Sequence, residues 1–285
     1  MDAPRILVTG GSGHLGTAIL RAFAGPGAGA ASFDLKPPRL DAPFIQGSIL
    51  ALADLRRAMR GIDTLIHAAA IPNPRDRPPE IVFDTNVRGT WNAFHAAAEA
   101  GVRKIVLISS ECATGLCYQK DERPPDYLPI DEDHSLRPNE VYGLSKVAAE
   151  TVAASFARSH EIDIVILRPL FILFAHNHGE IAERAGLHHR DLWGWVEPED
   201  VAAAVRLAVA KASGFAVFFI GAPNTIAAEP TLDLVRRRFG RLPEIRRPEL
   251  YRRQPNAGLF DISRAQAVLG YAPSADWRRH IGSRG

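Results

Sequence analysis

The stretch RILVTGGSGHLGTAILRAFAG constrains this chain more than any other. A short apolar run ends in glycines three apart, Gly10, Gly13 and Gly16, and a run with apolar residues at helical spacing follows. That order reads as a strand, a tight turn and a helix. Glycines at these positions let the chain turn, let the backbone approach a pyrophosphate and let helix pack on strand. His14 and Leu15 sit where the helix opens and its unpaired N–H groups can face an anion. A turn without a ligand can carry the same glycines, so the motif depends on its surroundings for its meaning.

Those surroundings repeat the alternation. AASFDL, APFIQG, DTLIHAAA, KIVLISS and DIVILRP read as strands, separated by LADLRRAMRG and IVFDTNVRGTWNAFHAAAEAG, which carry helical periodicity. Runs so rich in Ile, Val and Leu suit strands buried on both faces. The expected fold is therefore α/β, a Rossmann-type doubly wound parallel sheet covered by helices. Residues 1–168 are expected to form the dinucleotide-binding domain, and residues 169–285 a smaller, partly interleaved region that binds substrate. The polar segment 119–138, rich in proline and charge, is expected to be a long loop bordering the active site.

Asp34 closes the second strand, 18 residues beyond Gly16, where a carboxylate can accept hydrogen bonds from the adenosine ribose hydroxyls and repel a 2′-phosphate. NAD rather than NADP is the expected cofactor, although Lys36 and Arg39 follow closely and could receive that phosphate. A formal charge of +2 over 285 residues is too mild to indicate a nucleic-acid or membrane partner. The start of the chain lacks a basic, then apolar leader, and no apolar run reaches about 18 residues. With only Cys112 and Cys117 available, neither a disulfide framework nor a four-cysteine zinc site can form, and a reducing cytoplasm is expected.

NEVYGLSK places Tyr142 four residues before Lys146, hence on one face of a helix. An amphipathic surface helix could show the same pair. Taken with TGGSGHLG, DTLIHAAA, NVRGTWN, LISSECATG, LRP, WVEPEDVAAA and FDISRAQAVLGY, all in one order, it resembles the extended branch of the short-chain dehydrogenase/reductase superfamily. The resemblance covers nearly the whole chain. It implies catalytic roles for Ser110, Tyr142 and Lys146. It also implies that Ala68, Ala69 and Ala70 line the cofactor, that Ser48 and Ile49 lie near its adenine, and that Asn86 supports the central helix. It further implies a homodimer built through the long helices after strands four and five. A lysine ammonium beside a tyrosine should draw its pKa down from about 10 towards the working range of an acid/base catalyst.

The departures narrow the chemistry. Sugar-nucleotide dehydratases in that branch carry Asp-Glu after the catalytic threonine, whereas this chain has Glu111 and Cys112, so dehydration is disfavoured. Thr114 stands where an aromatic usually borders the substrate, before Gly115. The short region after residue 168 favours a small substrate, so the expected function is NAD-dependent hydride transfer at a carbinol or carbonyl carbon of a sugar-like compound. A nucleotide-sugar epimerase and a non-catalytic redox sensor are the alternatives. His176, His178, His188 and His189 have no carboxylate at ligand spacing, and no metal is expected. Arg236 to Arg253 holds eight arginines against Glu244 and Glu249, read as a solvated face or as a receptor for a substrate anion.

Overall fold

A strand covered by helices on both faces must be apolar at nearly every position, and the apolar centres of the six- to eight-residue runs read above meet that requirement. The structure, a computed structural model, describes residues 5–25, 29–75, 77–119, 122–273 and 276–280. Its strands are β1 Ile6–Thr9, β2 Ala30–Asp34, β3 Phe44–Gln46, β4 Thr64–His67, β5 Lys104–Ile108, β6 Tyr127–Leu128, β7 Asp163–Pro169, β8 Phe215–Ile220 and β9 Glu244–Ile245. Seven of them form one parallel sheet in the order β3-β2-β1-β4-β5-β7-β8, and β6 pairs with β9. Alternate residues feed two cores: Val8, Ile66, Val106 and Val165 face one, while Leu7, Leu65, Ile105 and Ile164 face the other.

The helices are α1 His14–Ala22, α2 Leu52–Ala58, α3 Pro79–Phe83, α4 Gly89–Glu99, α5 Val141–Ser159, α6 Ile181–Arg184 and α7 Pro198–Lys211, followed by three more beyond residue 230. A π-helical turn, Asp84–Arg88, joins α3 to α4. The strand order reverses between β1 and β4, and a doubly wound sheet opens its ligand crevice at that switch point. β8 and α7 both come from beyond residue 168, and α7 packs on α1, so the later part of the chain completes the sheet. Among the described residues no helix is long and apolar enough to cross a membrane.

The segment 119–138 corrects one expectation. Its strand β6 is held by β9, Arg137 pairs with Asp126, and the Glu132 carboxylate accepts from the Phe219 N–H at 2.8 Å. It is a strut between the sheet and the C-terminal region, and beyond Tyr118 none of its described residues borders the cleft. Its prolines and charges serve local pairing.

Beneath the open end of the sheet, Arg168 on β7 grips Glu150 on α5 through two hydrogen bonds of 2.9 and 2.7 Å, both side chains being buried. Ser109 donates to the same carboxylate at 2.6 Å, and Arg168 also reaches the Glu132 carbonyl at 3.2 Å. Arg168→Met would leave Glu150 buried without its cation, a loss of about 3–5 kcal/mol. Urea unfolding should show that loss as a lower midpoint with an unchanged slope.

Candidate active site

Three strand ends and one helix build the floor of a cleft of about 880 Å³. Gly10, with φ +73°, turns the chain after β1; a Cβ there would stand 2.7 Å from the Ala69 backbone. One at Gly16 would stand 2.1 Å from the Gly10 carbonyl, so only glycine allows α1 to start so close to β1. Gly10, Gly13, His14, Leu15 and Gly16 line the cleft, as do Asp34, Ser48, Ile49, Ala68, Ala69 and Ala70. The Asp34 carboxylate accepts from the Ser12 N–H at 3.1 Å and lies in the wall, whereas Lys36 and Arg39 are exposed and outside the lining. The cradle, with backbone donors and no side chain to block it, fits a dinucleotide pyrophosphate.

Ser110, two residues past β5, caps a 3-10 turn, accepting from the Cys112 N–H at 3.2 Å. Glu140 caps α5, taking the N–H groups of Tyr142 and Gly143, which fixes where Tyr142 emerges. Lys146, one turn on, donates to the Ile108 carbonyl at 3.0 Å, and its Nζ lies 5.6 Å from the Tyr142 ring centre. Ser110, Tyr142 and Lys146 are all buried and all border the cleft. Asn86, in the π-turn, makes a two-way bond with the Ile71 backbone at 2.8 and 3.1 Å and donates to Ser145 at 3.0 Å. It ties the cleft wall to α5.

The electrostatics differ from the expectation for Tyr142. Burial, with Cys112 next, lifts its phenol well above the usual range, and a hydrogen bond with Ser110 pulls the other way without prevailing. Burial also draws Lys146 down to about 8, against the pull of Cys112 and Glu150. Desolvation prevails at both groups because each is buried.

Several cleft residues escaped the sequence reading. Tyr118 supplies the aromatic that Thr114 does not: Thr114 is buried with its hydroxyl on the Glu111 carbonyl at 2.7 Å, while the Tyr118 ring carries Arg190 at 4.8 Å. Arg184, Arg190 and Asp191 also line the cleft, and Asp191 holds Arg184 at 2.7 Å and Arg190 at 3.5 Å. Arg190 Nε is buried with no hydrogen-bond partner. The segment HHRDLWGW advertised histidine more loudly than these charges. From the arginine-rich stretch, Arg238 reaches the His189 carbonyl and packs on Trp193, and Arg236 and Arg237 pair with Asp233 and Glu229. None of its described residues lines the cleft.

The histidines separate. His176 borders the cleft and packs with His14, ring centres 4.8 Å apart. His188 pairs with Glu122 at 3.4 Å, and His189 is held down to about 4 by burial and nearby arginines. His178 gains the company that its sequence neighbourhood lacked: Glu197 and His280 lie beside it.

The sequence itself matches the model of the NAD dependent epimerase/dehydratase family over residues 6–221. The chain belongs to that family. Its cofactor is NAD, and proteins similar to it include sugar dehydrogenases. An NAD-dependent glucose-6-phosphate dehydrogenase of Haloferax volcanii is 34% identical over 59% of this chain and 68% of its own length. An L-arabinose 1-dehydrogenase (NAD(P)(+)) of the same organism is 28% identical over 72% of this chain and 82% of its own. A short-chain dehydrogenase/reductase superfamily protein from Agrobacterium tumefaciens, solved with bound NAD, matches the fold with a TM-score of 0.73 at 24% identity, covering 97% of this chain and 94% of that one. This epimerase/dehydratase family chain is thus an NAD-dependent enzyme of the extended short-chain type.

Glu111 carries the sharpest pH signature of the cleft. Burial first, then the Asp191 carboxylate, raises it to about 8 from the usual 4.5. The folded protein therefore holds a proton there that the unfolded chain releases, and this contribution to stability is full below pH ~4.5 and lost as pH rises through about 8. Glu111→Gln should remove that loss, so the difference between wild type and variant should grow by on the order of a few kcal/mol between pH 5 and pH 8. Chemical denaturation at a series of pH values measures it; parallel curves would mean an ionised Glu111.

Proposed function

We propose that this chain is a dehydrogenase or reductase that moves hydride at a carbinol or carbonyl carbon of a sugar-like or related small hydroxy compound, with Tyr142 as acid/base. The observation that carries the reading is the convergence of Ser110, Tyr142 and Lys146 on the floor of the cleft that holds the glycine cradle. NAD, when bound, accepts or supplies the hydride. The Ser110 hydroxyl holds the substrate oxygen by a hydrogen bond. Tyr142, kept a phenol by burial, holds the proton that a carbonyl oxygen receives on reduction. In the oxidative direction it must first release that proton, which the Lys146 ammonium, charged below about pH 8, favours. Lys146 also holds the nicotinamide ribose.

Cofactor binding falls to residues 1–168 and substrate binding to residues 169–285, joined by Glu111 and Tyr118 from the first part. The whole cleft, about 880 Å³, is near the upper end of the ~300–1,000 Å³ usual for one small ligand. With a dinucleotide inside, the room left suits a small substrate better than a nucleotide sugar, which supports dehydrogenation over epimerisation. Arg190, a guanidinium on the cleft wall whose Nε makes an ion pair of 3.5 Å with Asp191 but no hydrogen bond, favours a substrate rich in acceptor oxygens. Both thiols are free, in keeping with a reducing cytoplasm.

The test follows NADH absorbance with free sugars, sugar phosphates, uronates and sugar nucleotides as separate groups. Tyr142→Phe should lose most turnover, by about 100-fold or more, while NAD binding survives. Near-normal turnover in that variant sinks the acid/base role. Cofactor fluorescence that responds across the panel without product would instead support a redox sensor.

We further propose a homodimer through α3, α4 and α5, helices that pack on one another. They expose Ile81, Phe83, Trp91 and Leu144, each more than two-fifths accessible, and so form the apolar face that a second copy would cover. Light scattering should give a dimer for the wild type and a monomer for Trp91→Glu.

A further inference from the structure

The group formed by His178, Glu197 and His280 has no part in the reaction proposed above. His178 lies in the 3-10 helix Ala175–Glu180, Glu197 caps α7, and His280 ends the 3-10 helix Trp277–His280. They are 19 and 83 residues apart in the chain, so only the fold assembles them. One ligand-capable atom from each lies within 4.8 Å of those from the other two. The imidazoles of His178 and His280 stack with ring centres 3.8 Å apart, and His280 Nε2 is 2.6 Å from Glu197 Oε1. Glu197 is 5% exposed, and its carboxylate is shared with Arg279 at 3.5 Å, whose own side chain is 55% exposed and free to swing into solvent.

We propose that His178, Glu197 and His280 form a site for a borderline divalent ion such as Zn²⁺, which clasps the C-terminal 3-10 helix to the loop beside the cleft. Two imidazoles and a carboxylate are a donor set that such ions prefer, and three protein ligands leave a fourth position for water. A dication would replace a single hydrogen bond with three bonds and offset the carboxylate that burial otherwise leaves to one histidine and an exposed arginine. The clasped loop carries His176, Asn177 and Glu180 into the cleft wall, so occupancy would stiffen the side of the cleft that faces the cofactor cradle. One other group, Glu111, Cys112 and Cys117, has comparable spacing among the described residues. It is a poorer host, since all three are raised above their usual ranges, Glu111 by burial, Cys117 by its hydrogen bond with Cys112 and then burial, and Cys112 by burial and the Glu111 charge against its bond with Cys117, and an ion would have to displace their protons.

Protein stripped with a chelator and titrated calorimetrically with Zn²⁺ should bind one ion per chain. His280→Ala and His178→Ala should each weaken that binding by more than about tenfold, while Cys112→Ser leaves it unchanged. Saturating Zn²⁺ should also raise the thermal midpoint of the wild type by about 5 °C or more, and of neither histidine variant. Each histidine is partly exposed, so one variant reads the site if the other folds poorly. Absence of saturable binding, or binding that persists in both histidine variants or disappears in Cys112→Ser, overturns the proposal. None of these readouts depends on turnover.

Discussion

The buried Arg168–Glu150 pair sets the geometry on which the cleft depends. Arg168 belongs to β7, Glu150 lies one helical turn beyond Lys146, and Ser109, hydrogen-bonded to the same carboxylate, is the neighbour of Ser110. One ion pair therefore fixes the register between the strand that delivers the serine and the helix that delivers the tyrosine and lysine. Such pairs add little net stability, because desolvation offsets most of the attraction. What this one adds is position: α5 cannot slide or rotate against β7 without leaving a charge unpaired, and the Ser109 bond carries the same constraint to the end of β5.

Above that pair, burial governs the chemistry more than pairwise charge does. Tyr142 and Glu111 are held in their protonated forms while Lys146 is drawn towards neutrality, each because the site excludes water. The Asp191 carboxylate adds to the lift on Glu111, which restores in space the second carboxylate missing beside Glu111 in the sequence. Asp191 is already engaged by Arg184, so it serves as a charge partner more than as a free acid.

The cofactor half was legible in the sequence for a physical reason. Gly10 and Gly16 are required by contacts with residues of the same strand–turn–helix unit or the neighbouring strand end, so spacing along the chain reports geometry directly. Tyr142 and Lys146 are likewise fixed by helical periodicity. The substrate half is not of that kind: Arg184 ends the one-turn helix α6, Tyr118, Arg190 and Asp191 arrive on irregular backbone, with Tyr118 at φ +52°, and no period links them. The arginine-rich stretch drew attention by density, yet Arg236, Arg237 and Arg247 pair with Asp233, Glu229 and Asp261, away from the cleft. The direction of the Tyr142 shift was also beyond the sequence, since it depends on how completely the ring is enclosed.

Density of one residue type is a weak guide when the partners come from elsewhere, and the histidine loop makes the same point from the other side. His176 and His178 are two residues apart but belong to different assemblies, one on the cleft with His14 and one with Glu197 and His280. A 3-10 turn separates successive side chains by about 120°, so neighbours at this spacing point apart. The loop thereby joins two structures: its cleft face meets the helix that opens the phosphate cradle, and its outer face meets the last described helix of the chain.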